Sequence, residues 1–286
     1  MAVPIIVVNG NLSCATASTD LNYLLNTAMR LGADSQPIGN LSIQASEYDN
    51  TLADGSGLTA MEYAAGLRQG EVTFGGLWPK ATAPLGNSGL ITYAAGYVQR
   101  VTAYSITFEW GENDITTQTG AGVSWRTFMP GRMLTWSGSY TAIAVSGTAA
   151  SLPSTGLSTS ATFKWAETGT TDGSFAGNII TTQLSQNVQT GERSDLQYTF
   201  KGSGACTQTP ATTGAGLLYS TARVMGPPDW DTTGDGIPDV SVVLKVDGSR
   251  TYTFPAFLRT LTVTTRMDKP MLVTGTLRAA GEIVVA

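Results

Sequence analysis

Along most of the chain after residue 40, larger apolar side chains alternate with small or polar ones, the two-residue period of a half-buried strand. YVQRVTAYSITFEW, LQYTFKGS, VSVVLKVDG, SRTYTFPAF and LRTLTVTTR all show it, are rich in Thr, Val, Tyr and Phe, and are separated by Gly, Asp, Asn and Pro. The pattern predicts a mainly β protein, an antiparallel sandwich or open barrel. One segment has the helical period instead. In STDLNYLLNTAMRLG, Leu21, Leu24, Leu25, Ala28 and Met29 fall on one face, Ser18, Thr19 and Asp20 can cap its start, and Gly32 can close its end. The stretches KATAPLGNSGL, SGTAASLPSTGLSTS and GACTQTPATTGAGLL are small, polar and broken by Pro or Gly, and read as links or as arms that drape over a neighbour.

The pattern also repeats. Residues 49–66, DNTLADGSGLTAMEYAAG, lie without a gap on residues 114–131, DITTQTGAGVSWRTFMPG. Asp49/Asp114, Thr51/Thr116, Gly55/Gly120, Gly57/Gly122 and Gly66/Gly131 are identical, and Tyr63 meets Phe128. A second alignment lays the strand-turn-strand segment beginning at Ser174 on the one beginning at Thr251, pairing Leu184 with Leu261 and Gly204 with Gly281, with Gly191 opposite Asp268 at the turn. The order first part, first part, second part, second part is that of one two-part β domain inserted into another. The expected organisation is an N-terminal arm and helix over residues 1–40, the first half of an outer domain over 41–100, an inserted domain over 101–206, and a linker with the second half of the outer domain over 207–286.

Composition narrows the function. Charged residues are 13% of the chain, against roughly 25% in ordinary soluble domains. So neutral a surface suits a subunit covered by neighbours better than a solitary protein. With 16 basic against 21 acidic residues, a net charge of −5 and no Lys/Arg-rich run, a phosphate-neutralising face is not expected. The chain has no histidine, which removes Cys/His metal sites and Ser-His or Cys-His nucleophile pairs, and no enzyme is expected. Cys14 and Cys206 sit in unlike contexts and read as free thiols. MAVPIIVVNGN has no basic flank and too short an apolar run for an export signal or a membrane anchor, so assembly in a cytoplasm is expected.

Two segments resemble the major tail tube proteins of long-tailed, siphovirus-like bacteriophages. DITTQTGAGVSWRTFMPGRMLTWSGSY, Asp114 to Tyr140, is similar to that family's Asp-x-Thr start, Gly-containing loop, Trp with an apolar pair, Pro-Gly and Trp-Ser-Gly-Ser strand. Trp125, Phe128, Pro130, Gly131, Trp136 and Gly138 occupy those places. Phe163 to Ala205 resembles the rest of the domain, with Gly177, Leu184, Tyr198, Phe200, Gly202 and Gly204 fitting its strands and its closing Gly-Ser-Gly. The resemblance implies a Pro-Gly turn at Pro130–Gly131 and a virion protein whose rings stack into a tail tube. It also implies partners at the tube ends and a lumen that DNA crosses without specific binding. The family's usual member has one such domain and forms six-membered rings. Two fused copies would make a trimeric ring with pseudo-sixfold symmetry, a hexamer being the other possibility.

Three further readings compete. DWDTTGDGIPD sets Asp231, Asp235 and Asp239 at alternating loop positions beside Asp229 and Gly236, a spacing seen in calcium loops, though without the closing Glu of an EF-hand. A solvated Asp-Gly turn accounts for it equally, and no other cofactor is implied. Trp110, Trp125, Trp136 and Trp165 could be exposed platforms of a carbohydrate-binding module or adhesin. A capsid decoration or tail-terminator protein is a third use of the same fold.

Overall fold

The computed structural model describes residues 11–14, 39–49, 63–77, 90–93, 98–117, 124–143, 155–164, 174–187, 194–209, 231, 233, 235, 238, 240–245, 250–266 and 269–286. Among them are strands β1 (Asn11–Cys14), β2 (Gly39–Asp49), β3 (Tyr63–Leu77), β4 (Leu90–Tyr93), β5 (Val98–Asp114), β6 (Phe128–Ile143) and β7 (Ser158–Lys164). They continue with β8 (Ser174–Asn187), β9 (Asp195–Thr209), β10 (Ser241–Lys245), β11 (Thr251–Arg266), β12 (Lys269–Ala279) and β13 (Val284–Val285). The protein is mainly antiparallel β, as its two-residue period predicts. The helix expected over Ser18–Gly32 lies outside the described residues.

Two expected boundaries move. SRTYTFPAF and LRTLTVTTR run as one strand, β11, through Pro255. Pro255 stands where β11 changes partners, from β10 (ending at Ser241↔Pro255) to β12 (beginning at Ala256↔Ala279), so its missing N–H interrupts no ladder. The first residues of GACTQTPATTGAGLL are not a link but the end of β9.

The strands form one sheet ordered β2-β3-β12-β11-β5-β4-β7-β8-β9-β6, open at β2, with β6 pairing back onto β5. Two six-strand runs can be traced through it. One is β1-β10-β11-β12-β3-β2, the other β4-β7-β8-β9-β6-β5, and every pairing in both is antiparallel. The runs agree in detail. β2 and β3 meet at Asp49↔Tyr63, and β5 and β6 at Asp114↔Phe128, the pairs that the first sequence alignment superposes. The β2–β3 pairing shifts register between Ala45 and Glu47, with one extra residue on β3, and the β5–β6 pairing shifts at the aligned positions, Trp110 and Glu112, where β6 is the longer strand. Under the second alignment, Thr181↔Phe200 and Gln183↔Thr199 on either side of a bulge match Leu258↔Leu277 and Thr260↔Thr276 on either side of another. Lys164↔Ser174 and Lys245↔Thr251 close the corresponding short hairpins.

Side chains inside the second run are largely aromatic and fill it. Tyr140 and Tyr198, opposite one another on β6 and β9, stack at 4.5 Å and 13°. Phe163 of β7 reaches across to stack on Phe200 at 5.0 Å, and Phe108 packs against Phe175 at 5.3 Å. The hydroxyls of Tyr93 and Tyr140 share a hydrogen bond. Around the first run the core is more aliphatic, with Val72, Leu258, Leu261, Val263, Val273 and Leu277 buried. Burying each such side chain contributes about 1.5–3 kcal/mol.

Candidate assembly interface

The glycines and tryptophan singled out from sequence converge on one packing unit. Trp136 is buried on β6 and donates its indole N–H to the carbonyl of Gly204 at 3.0 Å. Its ring lies over two glycines: a Cβ at Gly202 would stand 2.0 Å from the indole, and one at Gly177 2.7 Å from it. Beside it, a Cβ on Gly138 would stand 2.2 Å from the Ser105 carbonyl oxygen, so β5 and β6 approach closely only because Gly138 has no side chain. Gly204 adopts φ of 78°, the left-handed region, as β9 turns its carbonyl toward the indole. Trp110 is buried as well, and Trp125 is half-buried against the core, so neither Trp110 nor Trp136 is a binding platform. Trp165 lies outside the described residues.

Pro130 and Gly131 do not make the expected turn. Both lie within β6: Pro130 pairs with Glu112, Gly131 opens the bulged stretch of β6 that faces Gly111, and a Cβ on Gly131 would meet the Gly111 backbone at 2.9 Å. Without a side chain at Gly131 the two backbones can touch there. The chain reverses earlier, in the loop after Asp114. There the Asp114 carboxylate accepts hydrogen bonds from the backbone N–H and the hydroxyl of Thr116, which hold its pKa below the usual aspartate range, with Arg126 adding attraction at 3.4 Å. The far side of that loop docks on β3: the Arg68 N–H donates to the Ser124 carbonyl at 2.9 Å and the Arg126 N–H to the Arg68 carbonyl at 2.7 Å. The Arg68 guanidinium lies 5.9 Å from the Trp125 ring.

Of the acidic loop, Asp231 and Asp235 are among the described residues, and the Asp231 carboxylate accepts from the Thr233 hydroxyl at 3.4 Å. Asp239 lies outside them. Among the described residues no three acidic or thiol groups come together. Cys206 is a free thiol whose pKa burial pushes up to about 12.

Where the two runs join, polar and charged side chains meet across the sheet. β11 pairs with β5 in antiparallel register from Thr260↔Glu109 to Arg266↔Ala103. Thr107 and Thr262 bond hydroxyl to hydroxyl at 2.9 Å, Ser105 and Thr264 at 3.2 Å, and Leu261 and Phe108 are opposite and fully buried. At one end of the joint, Arg278 of β12 sets its Nε 3.3 Å from Glu112 of β5, donates to Gln69 at 3.0 Å, and covers the Phe128 ring at 3.9 Å. Arg259 donates to Glu71 at 3.0 Å in the same cluster. These four charged residues were not candidates from sequence, because nothing local marks a charge whose partner lies so far along the chain.

Two strand edges stay open among the described residues. β2 pairs only with β3. β8 pairs with β7 up to Ile180, and from Thr181 to Asn187 it has β9 on one side alone. Ile43 on the first edge and Leu184 on the second are exposed apolar side chains, at 44% and 39%.

No family model matches the sequence, and no curated protein matches it. Among solved structures, the chain is similar to a subunit of the virion of a native gene transfer agent particle, with 13% identity over 43% of this chain and 97% of that one, at a TM-score of 0.33. It is similar to a subunit of the tail of an empty gene transfer agent particle, with 14% identity over 42% of this chain and 94% of that one, at 0.31. The SPP1 tail tube gives 14% identity over 48% of this chain and 83% of that one, at 0.28.

Proposed function

We propose that the chain is a structural virion protein, two nested copies of one tube-type domain, which closes into three-membered rings that stack as a tail tube for DNA passage. The observation that carries this reading is the direction of the internal joint. By the strand correspondence above, β11 holds the place in the first run that β8 holds in the second, and β5 holds the place of β2. The two runs therefore meet head to tail rather than back to back, and a heterologous contact of this kind repeats around a ring or along a filament. Among the described residues a β8-type and a β2-type edge are left open, one at each end of the chain's pair of units. Long open edges are aggregation hazards unless a neighbour covers them. Because aromatic side chains fill the second run, the channel of such a ring lies on the axis between chains and not through a domain. The resemblance of residues 114–140 and 163–205 to tail tube proteins and the low charge fit the same reading.

Immunogold labelling of particles carrying the protein tests it. Gold along the whole tail shaft is expected. Label confined to capsids or to one tail end would favour the decoration or terminator reading.

A further inference from the structure

We propose that successive chains in the ring join by β8 of one chain pairing with β2 of the next, in the register that β11 and β5 use within a chain. This rests on the ring-forming function proposed above and specifies its contact. The second alignment carries Leu261 to Leu184, and the first carries Phe108 to Ile43, so the fully buried pair Leu261↔Phe108 corresponds to two exposed apolar residues, Leu184 and Ile43. The hydroxyl pair Thr262 and Thr107 corresponds to Ser185 and Ser42, and Thr260↔Glu109 to Gln183 and Gln44, all four exposed on the open edges. The charges follow the same rule. Arg278 occupies on β12 the place of Lys201 on β9, since Phe257↔Arg278 and Ile180↔Lys201 are equivalent pairs beside equivalent bulges. Glu112 occupies on β5 the place of Glu47 on β2, since Glu112↔Pro130 and Glu47↔Ala65 are equivalent. The ion pair of the internal joint is thus reproduced, one residue by each open edge, by an exposed lysine and an exposed glutamate.

A partner unrelated to this chain would have no reason to find apolar, hydroxyl and charged groups laid out in the order of the chain's own joint. A second copy meets all of them at once. The open edges would then gain a continuous ladder, and the sheet would run unbroken around the ring.

Cysteine pairing reads the register directly. Ile43→Cys with Leu184→Cys, and separately Ser42→Cys with Ser185→Cys, are introduced into the full chain. Adjacent antiparallel pairs alternate between wide and close Cα spacing, so one of the two pairs has disulfide-compatible geometry. Oxidation is expected to link chains covalently up to trimers in one double variant and in neither set of single variants. As a second readout, Lys201→Glu should lower the assembled fraction about tenfold, and adding Glu47→Lys should restore it. If rings or tubes form while neither pair crosslinks and the charge reversal has no effect, this contact is wrong and the tube-forming function stands. If the unaltered protein never self-associates, both fall.

Discussion

Arg278 and Glu112 face one another at 3.3 Å across the joint between the two strand runs of the sheet, the arginine almost wholly buried and lying on the Phe128 ring. Removing the cation leaves Glu112 and Glu71 with Arg259 alone, at 3.7 and 3.0 Å, so the loss should fall below the about 3–5 kcal/mol of a buried pair broken from one side. Arg278→Met should therefore lower the midpoint of chemical unfolding, while Glu112→Gln, which keeps Arg278 near Glu71 at 3.9 Å, should lower it less. Equal losses would mean that the pair acts alone, without Glu71.

Trp136 and its glycines make a steric prediction. Gly202→Ala puts a methyl group 2.0 Å from the indole and should destabilise by at least about 1–3 kcal/mol, with a change in tryptophan fluorescence. Trp136→Phe should relieve part of that cost, so the two substitutions together should be less harmful than their sum.

Tyr104 is buried with no hydrogen-bond partner for its hydroxyl among the described residues, and burial drives its pKa far above the ordinary tyrosine range. An unsatisfied buried hydroxyl costs about 1–3 kcal/mol, so Tyr104→Phe should leave the unfolding midpoint unchanged or raise it. A clear loss would reveal a partner for the hydroxyl in the assembled protein.

Cys206 keeps its proton in the folded chain up to about pH 12, whereas an unfolded thiol ionises near its ordinary value. The stability it contributes is complete below that ordinary value and is lost as pH rises toward 12. Alkylation at pH 8 should accordingly be slow in the native protein and fast in denaturant. Asp114 works in the opposite sense, because its folded pKa is lowered by Thr116. Its contribution is present above the ordinary aspartate range and fades as pH falls through the lowered value, and Asp114→Asn should abolish that acid-side dependence.

Much of this architecture was legible in the sequence where the cause is local. Alternation marked the strands, and the aspartates and glycines that bound equivalent hairpins, Asp49 and Asp114 among them, exposed the first alignment. Gly202, Gly204 and Trp136 were marked by the resemblance to tail tube proteins and converge on one packing unit in the fold. Pro130–Gly131 misled, because the pair that favours turns also suits a bulge, and only the partner strand, with Gly111 opposite, decides between them. β4, placed by sequence with residues 41–100, pairs with β5 and β7, a long-range choice that four residues cannot announce. The joint itself was invisible for the same reason: Arg278 and Glu112 carry no local sign of each other.

The central claim is that chains join head to tail into closed rings of three. Electron microscopy of the purified full chain, with class averages of end-on views and the mass of the soluble ring, tests it most directly. The account predicts annular particles with a central channel, six similar lobes in threefold arrangement, and a mass of three chains. Six chains per ring would contradict the trimer, and isolated monomers at every concentration would contradict the assembly itself.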